Sequence, residues 1–294
     1  MPIPLAQLGE NAVLKRLLLR LPDNDSLLVG PGDDCAVVAR DEQWDTLLKT
    51  DVVVESIHFT PETAPERVGR KALARALSDI AAMGGIPEHA LITLLVHPGR
   101  PVELLEGVYR GMHTLATRYG VSIAGGETSS LPYDGLVINV ALTGRVERGR
   151  AVLRSGARAG DILCVSGKLG GSFPSGRHLD FEPRLPLSRF LMEHQLCPTA
   201  MMDLSDGLAT DLPRLADASG CGYQIHQEAI PCHESCTIHQ ACTDGEDYEL
   251  LMTFAPEMIP DLLRASLPVP VTPIGKIVPQ SRENIGVGWQ HFSA

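Results

Sequence analysis

"ALSDIAAMGG", residues 76–85, is an apolar run at helical spacing with one aspartate inside it and two glycines at its end. The residues before it continue the same period, which predicts a long helix over Ala64–Met83 stopped by Gly84-Gly85. On that helix Asp79 shares a face with Ala72, Ala76, Ala82 and Met83, so its carboxylate emerges from an apolar stripe. A lone charge there is costly to bury. Either an ion pair with Arg75, four residues back, or a bound cation would compensate it.

Four other short acidic motifs sit, like this one, against apolar runs or glycine turns: "GDDCA" (32–36), "KTDVVVESIHF" (49–59), "GGETS" (125–129) and "MDLSDGLATDL" (202–212). Around them the periodicity predicts a helix at Glu10–Leu21, strands at Cys35–Ala39, Leu47–Val54 and Ala90–His97, a helix at Pro101–Tyr119 and a strand at Leu136–Val146. Further on come a strand at Ile162–Val165, a glycine-rich loop at Gly167–Gly171, a helix near Leu187–His194 and a strand at Ala200–Leu204. A helix follows Asp206, and strands at Tyr248–Phe254 and Pro273–Ile277 flank a last helix. The basic stretch "RVERGRAVLRSGARAGD" (145–161) breaks both periods, which predicts two domains, 1–147 and 148–294.

Adjacent side chains entering a strand point to opposite faces, so Asp33 and Asp34 in "GPGDDCAVV" (30–38) need not share a role. Asp33 is expected to tighten the glycine turn through a backbone hydrogen bond. Asp203 and Ser205 share a strand face, and Asp206 is placed either to cap the next helix or to act as a ligand. Carboxylates without matching cations, all with oxygen donors, point to Mg²⁺ rather than zinc, and Mg²⁺ in such sites commonly also holds phosphate oxygens.

Other chemistries are disfavoured. An excess of 36 acidic over 25 basic residues, net −11, argues against nucleic-acid binding. No apolar run is long enough to span a membrane and the start lacks a secretory pattern, so a cytoplasmic location is expected, with seven cysteines as free thiols. Cys232, Cys236, His239 and Cys242 lie close together, but at a spacing that matches no standard zinc set. "VSGKLGGS" (165–172) has Leu169 where a P-loop needs Ser or Thr, and no Rossmann glycine pattern or protein-kinase catalytic loop occurs.

The five motifs in this order, with "RSGARAGD" (154–161), "DGEDYELL" (244–251) and "PIGKI" (273–277), resemble those of the thiamine-monophosphate kinases, in the superfamily shared with aminoimidazole ribonucleotide synthetase. The resemblance runs from about Gly30 to Trp289. It implies a two-domain α/β (α+β) fold: an N-terminal mixed sheet with helices that pairs with its copy in a homodimer, and a C-terminal α/β domain that completes the ATP site. It also implies ATP- and Mg²⁺-dependent phosphorylation of thiamine monophosphate to thiamine diphosphate by direct transfer of the γ-phosphoryl group.

Carried over by motif, Asp34, Thr50, Asp51, Asp79, Glu127, Asp203 and Asp206 resemble ligands of several Mg²⁺ ions, with Lys49 offering a main-chain carbonyl. Gly126, Glu127, Arg154 and Ser205 resemble nucleotide contacts, and His58, Glu246 and Trp289 match positions that hold the thiamine end. No general base is needed, because the attacking oxygen belongs to an already ionised phosphate. The chain departs from the family in Glu127, where aspartate is usual, in Thr243-Asp244, and in a short stretch from Gly171 to Met201 carrying "GRHLDFEPRL". The alternatives are another ATP-dependent enzyme of the superfamily, of the purine-pathway or selenophosphate synthetase type, or a non-catalytic metal- and nucleotide-binding relative.

Overall fold

The computed structural model describes residues 3–289 apart from Arg20 and Asp23. Two short N-terminal helices, α1 (Leu5–Leu8) and α2 (Glu10–Leu18), lead into strands β1 (Leu27–Val29), β2 (Ala36–Ala39) and β3 (Trp44–Val54). Helix α3 (Pro65–Ala82), β4 (Ile86–Val96), α4 (Val102–Tyr119), β5 (Ser122–Ser130) and β6 (Leu136–Glu147) follow. After a connection rich in glycine and arginine come β7 (Ile162–Ser166), α5 (Ser172–Ser175), α6 (Leu185–Glu193), β8 (Ala200–Asp203) and α7 (Leu208–Ser219). The last elements are β9 (Gly222–Ile225), α8 (Ile238–Thr243), β10 (Leu250–Phe254), α9 (Ile259–Arg264) and β11 (Val271–Val278).

Among the described residues the strands form two sheets, ordered β1-β2-β3-β6-β4-β5 and β8-β10-β7-β11-β9. The first is mixed: β4 and β5, joined by the α4 crossover, are parallel and the other pairs antiparallel. Burial alternates along all of β6, so Leu136, Ile138, Val140 and Leu142 enter the core under α3. The opposite face of this sheet is open, with Leu48, Val52 and Leu91 exposed. The second sheet is antiparallel and buried on both faces. Leu163 and Val165 pack into one core with α7, while Cys164, between them, packs into another with α6.

Strand β5 escapes the sequence pattern because "SIAGGETSS" has no branched alternation; its pairing with β4 makes it a strand. The regular strand β6 continues to Glu147, one residue past its expected end at Val146 and three residues into the basic stretch that begins at Arg145. Helix α2 ends at Leu18 rather than Leu21, and the intervening Arg20 lies outside the described residues.

Helix α3 is buried on most of its circumference, since it packs on the first sheet, on α4 and on the second domain at α6 and β8. Its small residues make this possible. A Cβ on Gly69 would lie 1.9 Å from the Val108 carbonyl oxygen, and one on Gly111 of α4 would lie 1.9 Å from that of Glu66. Those two glycines set the α3/α4 separation. Gly111→Ala should therefore lower unfolding free energy by about 1–3 kcal/mol, the usual cost of overpacking, as read from urea denaturation; a cost near zero would contradict so close a crossing.

Candidate active site

Three carboxylates converge where the two sheets meet. Asp34, Asp79 and Asp203 each bring an oxygen within 4.8 Å of the others, and all three are buried. Asp34 comes from the glycine turn before β2, Asp79 from α3 and Asp203 from the end of β8. Arg154 clasps Asp34 with Nη2 at 2.6 Å and Nε at 3.3 Å, Lys49 Nζ lies 2.7 Å from Asp79, and the Ser78 hydroxyl donates to Asp203 at 2.6 Å. Two cations thus face three carboxylates. Burial and the neighbouring carboxylates push the Asp79 pKa well up against the pull of Lys49, and burial with Asp34 raises Asp203 to about 6. An uncompensated negative charge among all-oxygen donors fits a divalent cation of the Mg²⁺ kind.

The Arg75 partner expected for Asp79 is instead Asp51, at 3.1 Å; the counter-ion of Asp79 is Lys49, reaching across from β3. Side chains of Lys49 and Asp51 share the face of β3 that meets α3, whereas Thr50 turns to the opposite face and donates to Asn139 at 2.9 Å. Asp33 Oδ1 accepts the Arg154 backbone N–H at 2.8 Å, tying the turn to the interdomain connection, and its carboxylate also interacts with the Asp34 backbone N–H within the turn. Asp206 is not the cap of α7, which begins after Gly207; its carboxylate pairs with Arg214 at 2.6 Å. Asp211, one turn inside the helix, accepts the backbone N–H groups of Ser205 and Asp206.

Gly126 and Glu127 lie on the edge strand β5, three strand spacings from β3, which is roughly 14 Å. Within one chain they do not join the carboxylate cluster. A Cβ on Gly126 would meet the Ile92 carbonyl oxygen at 1.8 Å, which explains glycine there. Among the described residues Cys232, Cys236, His239 and Cys242 form no metal-holding group, and all seven cysteines are free.

Beside the carboxylates is a cavity of about 220 Å³ lined by His58, Arg75, Phe173, Ser205, Glu246 and Trp289, among others. Phe173 and Trp289 line it while 45% and 53% exposed, so aromatic surface borders the cavity. His58 accepts the Val54 backbone N–H at Nδ1, and burial next to Arg75 lowers its pKa to about 4, which keeps the ring neutral. Glu246 and Tyr248 both adopt positive φ, 55° and 52°, an unusual state for a tyrosine. Backbone bonds from Glu246 to Ser205 and from Tyr248 to Leu204 hold it, and so draw "DGEDYELL" onto "MDLSDG".

Motif reading did not single out Lys71, Phe173 and His178: Phe173 lines the cavity and stacks on His178, and Lys71 is buried against Glu246. A signal for the first was present: Lys71, Arg75 and Asp79 recur every four residues on one face of α3. Each meets an opposite charge from another element, Glu246, Asp51 and Lys49 respectively. This stripe leads from the cavity to the carboxylates over about 12 Å.

A carboxylate cluster at the junction of a one-sided mixed sheet and a second α/β domain, next to an aromatic cavity, defines a two-domain α/β protein with an acidic cleft between its sheets. Residues 32–146 match the family model of the AIR synthase related protein N-terminal domain, and residues 158–288 that of its C-terminal domain. The thiamine-monophosphate kinase of Rhodopirellula baltica is 37% identical over 92% of this chain and 89% of its own length, and that of Bacillus subtilis 33% identical over 89% of each. The solved complex of AaThiL with AMPPCP and TMP superposes with a TM-score of 0.85 at 30% identity, covering 99% of both chains. Escherichia coli HypE, at 22% identity and a TM-score of 0.68 over 92% of both chains, shares the fold alone. The chain belongs to the AIR synthase related proteins and, within them, to the thiamine-monophosphate kinase family.

The charge imbalance yields a prediction about Asp203. Its raised pKa means that the metal-free folded state holds a proton more tightly than the unfolded chain, so stability falls as pH rises from about 4 to 6 and the whole penalty is present above that. Asp203→Asn without metal should accordingly melt above wild type at pH 7.5, with the difference closing toward pH 4. The same variant should lose most of the Mg²⁺-dependent rise in Tm that wild type shows. Calorimetry across pH, with and without Mg²⁺, checks both.

Proposed function

We propose that this protein transfers the γ-phosphoryl group of ATP to the phosphate of thiamine monophosphate, giving thiamine diphosphate, with Mg²⁺ held by Asp34, Asp79 and Asp203. The observation that carries the reading is one cleft in which a negatively charged carboxylate cluster and a cavity lined by two partly exposed aromatic side chains are joined by one helix stripe. Kinship with thiamine-monophosphate kinases, and the likeness to AaThiL in complex with AMPPCP and TMP, support it.

Phosphoryl transfer needs two anionic phosphates held in line, and little covalent work from the protein. When bound, Mg²⁺ would neutralise the phosphate oxygens that these carboxylates otherwise repel. Arg154, paired with Asp34, and Ser205, on the cavity wall, are read as the nucleotide contacts, with Asp51 and Asp206 held by Arg75 and Arg214. At the other end Trp289 and Phe173 offer faces for a cationic heteroaromatic ring, His58 a neutral imidazole and Glu246 a hydrogen-bond acceptor. No side chain is assigned as general base, since the acceptor is an ionised phosphate.

The chain is read as two domains divided at 147/148 that work as a homodimer. The open, partly apolar face of the first sheet supports pairing with a second copy, and the distance of Gly126 and Glu127 from the cluster makes their contribution to a nucleotide site one across that pairing. No described helix is long and apolar enough to cross a membrane, and seven free thiols suit the cytoplasm.

With ATP and Mg²⁺ the purified protein should convert thiamine monophosphate to the diphosphate and leave free thiamine untouched; product from thiamine but not from its monophosphate would refute the reading. Asp34→Asn should cut kcat by about 10²–10³-fold and raise the Mg²⁺ concentration needed for its own maximal rate. Asp33→Asn should cost less than about tenfold, because an amide oxygen still accepts the Arg154 N–H bond. Mg²⁺ titrations at saturating ATP separate the two aspartates.

A further inference from the structure

Lys71 is fully buried, yet no part of the phosphoryl-transfer chemistry uses it. Its ammonium group lies 2.5 Å from Glu246 Oε2, 2.7 Å from His178 Nδ1 and 2.6 Å from the His58 carbonyl oxygen. Glu246 Oε2 and the His58 carbonyl oxygen each accept one of its N–H groups, and the His178 ring packs against it. His178 Nδ1 is in turn 3.0 Å from the same Glu246 oxygen. The other carboxylate oxygen, Oε1, has a single long contact of 3.4 Å with the Tyr248 hydroxyl among the described residues, and Glu246 and Tyr248 both line the cavity.

His178 lies between Gly171 and Met201, the stretch whose sequence "GRHLDFEPRL" (176–185) stands apart from the family motifs. That stretch is fixed from several sides. Phe173 stacks on His178 with ring centroids 4.3 Å apart, and Phe181 stacks on Tyr248 at 4.0 Å. Arg67 of α3 donates to the Gly176 carbonyl oxygen at 3.0 Å, and Arg70 to that of Phe181 at 2.7 Å. The same helix that carries Lys71 therefore also seats the segment that carries His178.

We propose that Lys71 and His178 are positioning residues for substrate recognition: they immobilise Glu246 through Oε2, so that Oε1 alone is presented to the ring-binding cavity as a directed acceptor. This rests on the reading of the cavity as the site for the heteroaromatic end of the substrate. Because Lys71 already balances the charge of Glu246, the cavity selects an N–H donor on the ring, such as an exocyclic amine, rather than positive charge as such. Burial alone would raise the Glu246 pKa, but the bonds from His178 and Lys71 outweigh it and bring the group down to about 2. Arg75 lowers it further, the His58 imidazole in the same cavity interacts with it, and the Tyr248 hydroxyl contacts Oε1. The acceptor is thus ionised across the working range.

The test uses Lys71→Met, which matches volume without charge, His178→Phe, which keeps the stack on Phe173, Glu246→Gln and the Lys71→Met/Glu246→Gln double variant in the full chain. Lys71→Met should raise KM for thiamine monophosphate by about tenfold or more, the scale of losing a charge-assisted contact, while KM for ATP stays within about twofold. His178→Phe should move the same constant in the same direction by a smaller factor. The double variant should be no worse than Glu246→Gln alone, since Lys71 acts through that carboxylate. Additive losses, or a KM for ATP that rises in parallel, would overturn the inference.

A second readout needs no turnover. In a carboxyl NMR titration Glu246 should stay ionised below about pH 4 in wild type and titrate above about pH 5 in Lys71→Met, on either side of an ordinary glutamate. An unchanged titration in that variant would overturn the role given to Lys71. Wild-type protein that fails to phosphorylate thiamine monophosphate would refute the functional reading, and the NMR result would still decide the role of Lys71.

Discussion

The structure depends on compensating three carboxylates that are buried within 4.8 Å of one another. Like charges so placed repel, and in a poorly solvated site the repulsion is strong. Lys49 and Arg154 relieve part of it, but those five side chains still carry one more negative than positive charge. The elements supplying them come from both halves of the chain: the turn before β2, β3 and α3 from the first sheet's domain, and the connection and β8 beyond it. The cluster is therefore also the joint. Asp34–Arg154 and Ser78–Asp203 are interdomain contacts, and Asp33 adds a third by accepting the Arg154 backbone N–H.

Helix α3 turns this joint into a cleft with two ends. Its alanines and glycines permit close packing on α4 and on the second domain, leaving one charged stripe facing inward. Asp79 sits at the carboxylate end and Lys71 at the cavity end, about 12 Å apart. A rigid helix so spaced fixes the distance between the place where phosphates can be held and the place where a ring can be held, which suits in-line transfer between positioned groups. Beyond Lys71, Arg67 and Arg70 clasp the 176–182 segment, so the shape of the cavity follows from the same helix.

The fold of this molecule is shared with proteins of other chemistry, as the likeness to HypE illustrates, so the functional reading rests on particular side chains. The exposed pair Phe173 and Trp289 and the strained backbone at Glu246 and Tyr248 are such particulars. Strain of that kind persists only when the surroundings over-determine it, and here the bonds to Leu204 and Ser205 do so.

The sequence by itself determined the strongly periodic elements, because α3, α4 and β6 carry local patterns of 3.6 or 2 residues that burial enforces. It also determined that Asp34, Asp79 and Asp203 needed a common explanation, since each stood against apolar or glycine neighbours, and the motif order carried the family. Only the tertiary structure decided the partners. Asp79 meets Lys49 and not Arg75, Asp33 reaches Arg154, Asp211 receives the backbone N–H groups of Ser205 and Asp206 in the turn before α7, and Thr50 faces away from the cluster. Strand β5 likewise exists through its pairing with β4 rather than through its own residues. The reason is common to all of these: a side chain's character is local, but its counter-ion lies wherever the packing of distant elements brings an opposite charge within about 3 Å, and no spacing along the chain encodes that.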